Sequence, residues 1–204
     1  MEIKWIPKEG RRGVFSLIVD EDPFRDIHAS IFGRSPELSK CRSLGELETL
    51  LDVLEYKGAK NYALKRLSIK SQPSTEMEKA LKERLVSEKN RSRVIEEFVS
   101  LGYLNDNEWI ERFIRLQTLK KQGPKTIFQK LKAKGLNDDQ IIPILEDHTS
   151  PESQQEQITA LLNGKYKSRD TTDYNQKQKV IASLLRKGFE FEQILKAIDL
   201  RKNI

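Results

Sequence analysis

The spacing of apolar residues changes character near Ser43. Before it, apolar positions come in short β-branched and aromatic runs. Ile3-Lys4-Trp5-Ile6 and Val14-Phe15-Ser16-Leu17-Ile18-Val19 flank the turn-rich Pro7-Lys8-Glu9-Gly10-Arg11-Arg12-Gly13. Two such runs around such a connection predict a β-hairpin. Asp20-Glu21-Asp22-Pro23 predicts another turn. Phe24 to Phe32 fits either a third strand or a short helix, and Gly33-Arg34-Ser35-Pro36 breaks the chain again.

From Ser43 onward the period is helical. Leu47, Leu50, Leu51 and Leu54 form one apolar stripe. Gly58 is a candidate interruption, after which Ala59, Ala63, Leu64 and Leu67 resume the stripe. Gln72-Pro73-Ser74 ends it. Thr75 with Glu78 fits a capping box before Met77, Leu81 and Leu85. Val94, Ile95, Phe98, Val99 and Leu101 follow, stopped by Gly102. Asn105 with Glu108 predicts the cap of a helix whose face is Trp109, Ile110, Phe113, Ile114, Leu116 and Leu119. Gly123-Pro124 separates it from a helix bearing Ile127, Phe128 and Leu131, because proline suits a first helical turn. That helix stops at Gly135. Asn137 with Gln140 caps the next, which carries Ile141, Ile142, Ile144 and Leu145. Ser150-Pro151-Glu152 opens another, residues 163–174 read as a loop, and two helices around Gly188 close the chain.

These helices repeat. A shift of 53 residues, from Gly135 to Gly188, lays Leu131 on Leu184, Ile141 on Ile194 and Leu145 on Ile198. A shift of 46 lays Leu85 on Leu131, Ile95 on Ile141 and Val99 on Leu145, with Lys89 in the place of Gly135. Periods in this range mark tandem supersecondary units whose apolar faces are buried by stacking. The expected architecture is mainly all-α: three tandem three-helix repeats in an elongated, curved array after a small β-hairpin region. The expected boundaries are 1–42 for the β-rich extension and 43–104, 105–149 and 150–204 for the repeats.

Charge and chemistry narrow the function. Thirty-seven Lys and Arg against 31 Asp and Glu leave +6, and charged residues are 33% of the 204. An excess of that sign permits an anionic partner. No apolar run approaches the about 18 residues of a membrane span. Cys41 is the one cysteine, which points to a reducing, cytoplasmic setting. His28 and His148 have no zinc spacing, and no phosphate loop or nucleophile elbow is present. A binding protein without catalytic residues, metal or cofactor is therefore expected. Its candidate contacts are cations without an acid four residues upstream: Lys60, Lys65, Arg66 and Lys70, then Lys121, Lys125, Lys130, Lys132 and Lys134. Lys125 and Lys132 share one helix face.

Several segments resemble the RecX family of regulatory proteins. They are Tyr62-Ala63-Leu64-Lys65-Arg66-Leu67, Glu76-Met77 with Leu81, Gly102-Tyr103-Leu104-Asn105-Asp106 with Trp109, and Gly123-Pro124-Lys125-Thr126-Ile127 with Leu131 and Lys134-Gly135. They span roughly residues 44–146, and the third repeat adds less. The resemblance implies a cytoplasmic, non-enzymatic modulator of the RecA recombinase. Such a protein has three tandem three-helix repeats, binds along the RecA–DNA filament and usually inhibits its activities. The expected partners are the RecA filament and the single-stranded DNA within it, met by a monomer. The alternatives are a non-specific nucleic-acid-binding helical protein and a helical adaptor for another protein.

Overall fold

The computed structural model describes residues 1–33, 38 and 41–202. Among them are three strands and ten helices. The chain forms two compact units, residues 1–105 and 106–204. The expected break at Gly33-Arg34-Ser35-Pro36 lies, beyond Gly33, outside the described residues.

In the first unit, β1 (Ile3–Pro7), β2 (Val14–Val19) and β3 (Asp22–His28) form an antiparallel sheet in that order. Trp5 pairs with Leu17, and Val19 pairs with Asp22 across the two-residue turn Asp20-Glu21. Both turn residues have positive φ, 48° and 71°. That backbone twist matches the twist of the flanking strands. The segment Phe24–Phe32 is both of its alternatives in succession, because α1 (Ala29–Phe32) follows β3 directly.

Next come α2 (Leu44–Ile69), α3 (Ser74–Glu83) and α4 (Glu88–Ser100). Leu17 and Ile27 of the sheet share one core with Leu47 and Leu51 of α2, Met77 and Leu81 of α3, and Val94 and Phe98 of α4. Gly58 does not interrupt α2. It sits where α1 crosses, and a Cβ there would overlap the Ile31 carbonyl. α3 starts at Ser74 with Pro73 in the cap position, so Thr75 belongs to its first turn rather than capping it.

The second unit holds α5 (Asp106–Leu119), α6 (Pro124–Lys132), α7 (Asp138–His148), α8 (Pro151–Asn163), α9 (Tyr174–Arg186) and α10 (Phe191–Lys202). One apolar cluster joins α5, α6 and α7 through Ile110, Ile114, Ile127 and Ile141. A second joins α8, α9 and α10 through Ile158, Leu162, Leu184 and Ile194. Asn137 and Gln140 form the expected capping box. Ser150 caps α8 with Pro151 in its first turn.

The two clusters meet backbone to backbone. Gly123 N–H donates to the Lys187 carbonyl at 2.7 Å, and Lys125 N–H to the Gly188 carbonyl at 3.1 Å. The turn before α10 thereby satisfies an otherwise orphan donor at the start of α6. Both glycines are needed for that approach. A Cβ on Gly123 would overlap the Gly188 carbonyl, and one on Gly188 would overlap the Thr126 backbone.

The repeat register differs from the one expected for the first unit. Arg84, Lys134 and Lys187 N–H each donate at 3.0 Å to the carbonyl three residues back, on Leu81, Leu131 and Leu184. Leu85, Gly135 and Gly188 follow with φ of 61°, 86° and 88°. Leu81, not Leu85, therefore matches Leu131, and Leu85 stands in the glycine position assigned to Lys89. A leucine with left-handed backbone costs about 1–2 kcal/mol, so sequence pattern gives no hint of it. Lys89 instead lies in the first turn of α4 and pairs with Asp52 at 2.9 Å.

Candidate partner-binding surface

The structure divides the nine expected contact cations by what each already holds. Lys60 bonds the Glu97 carboxylate from α2 to α4, and the Tyr56 hydroxyl donates to the same carboxylate. Arg93 lies 3.8 Å from the centre of the Tyr56 ring. The Lys60 bond, then the Tyr56 bond, holds the Glu97 carboxyl below the usual carboxylate range. Glu97 in turn raises the Tyr56 phenol. Lys60 is thus part of the α2–α4 contact. Sequence reading missed it because its acid lies 37 residues away.

Lys132 pairs with Asp138 at 2.7 Å. Lys130 donates to Gln117 at 2.8 Å. Lys134 lies 5.4 Å from the Trp109 ring centre and 6.0 Å from that of Phe113, a cation–π position. Lys121 is half-buried with φ of 55°, and its carbonyl accepts from Lys187. Among the described residues, Lys65, Lys70 and Lys125 are exposed and pair with no carboxylate. Arg66 is exposed and gives its Nε–H to Gln72 at 2.8 Å, leaving the rest of its guanidinium fork uncommitted.

The residues that carry the resemblance fall mostly inside. Leu104, Ile127 and Leu131 are buried, and Leu67 packs on the first core half-buried. Trp109 is 7% exposed and stacks on Phe113 with centroids 5.1 Å apart. Gly102 takes φ of 73° after α4, and Pro124 opens α6. Two are not core residues. Leu64 faces outward, and Tyr103 is exposed with only its ring edge on Phe98 at 5.5 Å.

A cluster that the sequence did not reveal joins β3, α1, α2 and the α3–α4 turn. Arg84 lies 3.0 Å from His28 Nε2 and donates to the Tyr62 hydroxyl at 3.4 Å. The Ser30 backbone N–H donates to His28 Nδ1 at 3.0 Å. Burial, then the Arg84 charge, keeps this imidazole below the ordinary histidine value. His28 and Arg84 stand 56 residues apart, so no local pattern announces the pair.

A helix pair recurring through the chain defines a helical-repeat protein. Comparison with known proteins refines that class. The family model described as RecX, third three-helix domain, matches residues 152–198. Regulatory protein RecX of Bacillus velezensis is 31% identical over 192 residues, covering 91% of this chain and 71% of that protein. Its namesake in Bacillus subtilis is 28% identical over 191 residues with the same coverage. The chain belongs to the RecX family of regulatory proteins. A crystal structure of regulatory protein RecX shares the fold at a TM-score of 0.66 and 21% identity, covering 97% of this chain and 98% of that one. RecX from Lactobacillus salivarius gives 0.66 at 27% identity, over 73% of this chain and 97% of that one. The family-model match falls on the segment where the sequence offered fewest matching residues.

Proposed function

We propose that this chain binds the RecA filament on single-stranded DNA and lowers its recombinase and ATPase activities. The observation that carries this reading is kinship with regulatory RecX proteins along 91% of the chain. The physical chemistry supports it. Exposed Lys65, Arg66 and Lys70 in the first unit, and Lys125 in the second, offer positive charge that no carboxylate among the described residues pairs with. A nucleoprotein filament is a long array of phosphates and acidic grooves. Several weak charged contacts along one chain add by effective concentration rather than by the strength of any one. The protein acts by occupying a surface, as a monomer in the cytoplasm, without metal or cofactor. Among the described residues no helix is long and apolar enough to cross a membrane.

Three modules follow from the same reading: residues 43–104, 105–149 and 150–204, each pairing two short helices around the recurring turn, with 1–42 as the extension. The test is DNA-dependent ATP hydrolysis by RecA titrated with this chain. Hydrolysis falls before the chain reaches equimolar amounts. An unchanged rate at equal concentration overturns the proposal.

A further inference from the structure

The Arg84 cluster backs onto a cavity. Ser30, Asn61, Tyr62, Lys65, Arg66 and Ile69 line a space of about 420 Å³ between the start of α1 and the outer face of α2. That is within the roughly 300–1,000 Å³ of small-ligand sites.

The charges around it do not balance. Lys65 and Arg66 line the cavity, and no acid does. Arg84 stands behind Tyr62, half-buried, with its guanidinium carbon 5.8 Å from the ring centre. A guanidinium drawn partly out of water normally takes a carboxylate, since that pairing offsets its desolvation. Arg84 has a phenol and an imidazole instead. His28 adds no negative charge: neutral, it accepts at one ring nitrogen and carries N–H at the other. Two cations thus line the cavity and a third, Arg84, lies behind its Tyr62 wall, with no acid paired to any of them among the described residues. The missing complement is an anion from outside the chain.

The walls say which kind. Arg66 is held through its Nε by Gln72, which orients a fork of donors suited to phosphate oxygens. Asn61 adds an amide at the mouth. The Tyr62 ring and Ile69, which is 80% exposed, supply apolar surface beside those cations. Alternating charge and apolar surface at this distance is what a nucleotide presents. A run of acidic side chains would leave the exposed Ile69 without a counterpart. Backbone cations with ring surfaces beside them are the general means of holding single strands.

We propose that this cavity holds one nucleotide unit of single-stranded nucleic acid, its phosphodiester on Lys65 and Arg66 and its base or sugar against Tyr62 and Ile69. The proposal rests on the filament reading only in taking nucleic acid as the anion.

The test measures binding of the full chain to a short fluorescein-labelled oligothymidylate by anisotropy, without RecA, across a salt series. The variants are Lys65→Glu, Ile69→Ser and, as a charge control outside the cavity, Lys79→Glu on α3. All three sites are exposed, and circular dichroism confirms the fold. Lys65→Glu weakens binding about ten-fold, as expected for loss of a charged hydrogen bond. It also lowers the slope of log affinity against log salt by about 0.7 per contact removed. Ile69→Ser weakens binding without changing that slope, and Lys79→Glu stays near wild type.

Equal losses for Lys65→Glu and Lys79→Glu would mean a diffuse field and overturn the site. So would displacement of the oligonucleotide by an equal concentration of oligoglutamate, or no binding at all. If the chain lowers RecA ATPase yet binds no oligonucleotide, the cavity proposal falls and the filament reading stands. If it binds as expected but leaves RecA unaffected, the filament reading falls and the cavity stands.

Discussion

Replacing Glu55 with alanine lowers the stability of the first unit by about 3 kcal/mol, the low end for removing one partner from a buried charge pair, because Arg25 keeps 30% of its side chain in water. Glu55 is 1% exposed in the middle of α2. Its carboxylate takes the Arg25 guanidinium from β3, the Ser87 hydroxyl and, at 2.8 Å, the Asn90 amide at the start of α4. One side chain therefore joins the sheet to two helices. Truncation leaves Arg25 without its acid and takes one acceptor from the fully buried Asn90 amide, which keeps Asp52 at 3.1 Å. The loss is large against the about 5–15 kcal/mol that holds a domain together. Glu55→Gln keeps the shape and some of the hydrogen bonds, and costs less. The two tryptophans simplify the measurement, since Trp5 lies in the first unit and Trp109 in the second. Urea unfolding of a Trp109→Phe background follows Trp5 alone. A midpoint unchanged by Glu55→Ala would contradict this account of the first core.

The second large effect is on Trp109. Trp109→Ala removes a nearly buried indole that stacks on Phe113 and lies under the Lys134 ammonium. Large-to-small changes at aromatic core positions cost about 3–5 kcal/mol. The cavity opens beside Ile110 and Ile114, in the cluster that joins α5, α6 and α7. Circular dichroism then shows the helices of the second unit melting at lower temperature. Trp109→Phe loses much less, because the stack with Phe113 survives in smaller form. A loss below about 1 kcal/mol for Trp109→Ala, the range of surface substitutions, would place the indole outside the core.

What sequence reading captured is local. The hairpin, the Asn137–Gln140 box and the Ser150-Pro151 start depend on residues within a few positions of each other. Their chemistry is visible in the string. The apolar stripes were drawn too wide where the pattern continues past the face that packs. Leu116 and Leu119 are exposed, while Gln117 takes the inward position after Ile114 and accepts from Lys130. Val99 and Leu101 are likewise exposed at the end of α4. The repeat was recognisable, but its register in the first unit was not. Leu85 adopts the backbone that glycine signals in the other two turns.

The candidate surface was less legible than the fold. Helical spacing finds acids four residues away, such as Glu111 beside Arg115 at 3.4 Å. It does not find Glu97 beside Lys60 or Asp138 beside Lys132, where the partner arrives from another element. That Arg84 meets His28 and Tyr62, and no carboxylate among the described residues, is a property of the assembled first unit, written in residues from separate segments of the chain.

Co-sedimentation with RecA assembled on single-stranded DNA tests the central claim most directly. The account predicts that the chain pellets with the filament, and that Lys65→Glu with Lys125→Glu leaves most of it in the supernatant with helical content unchanged. A wild-type chain that stays in the supernatant while RecA pellets would contradict it.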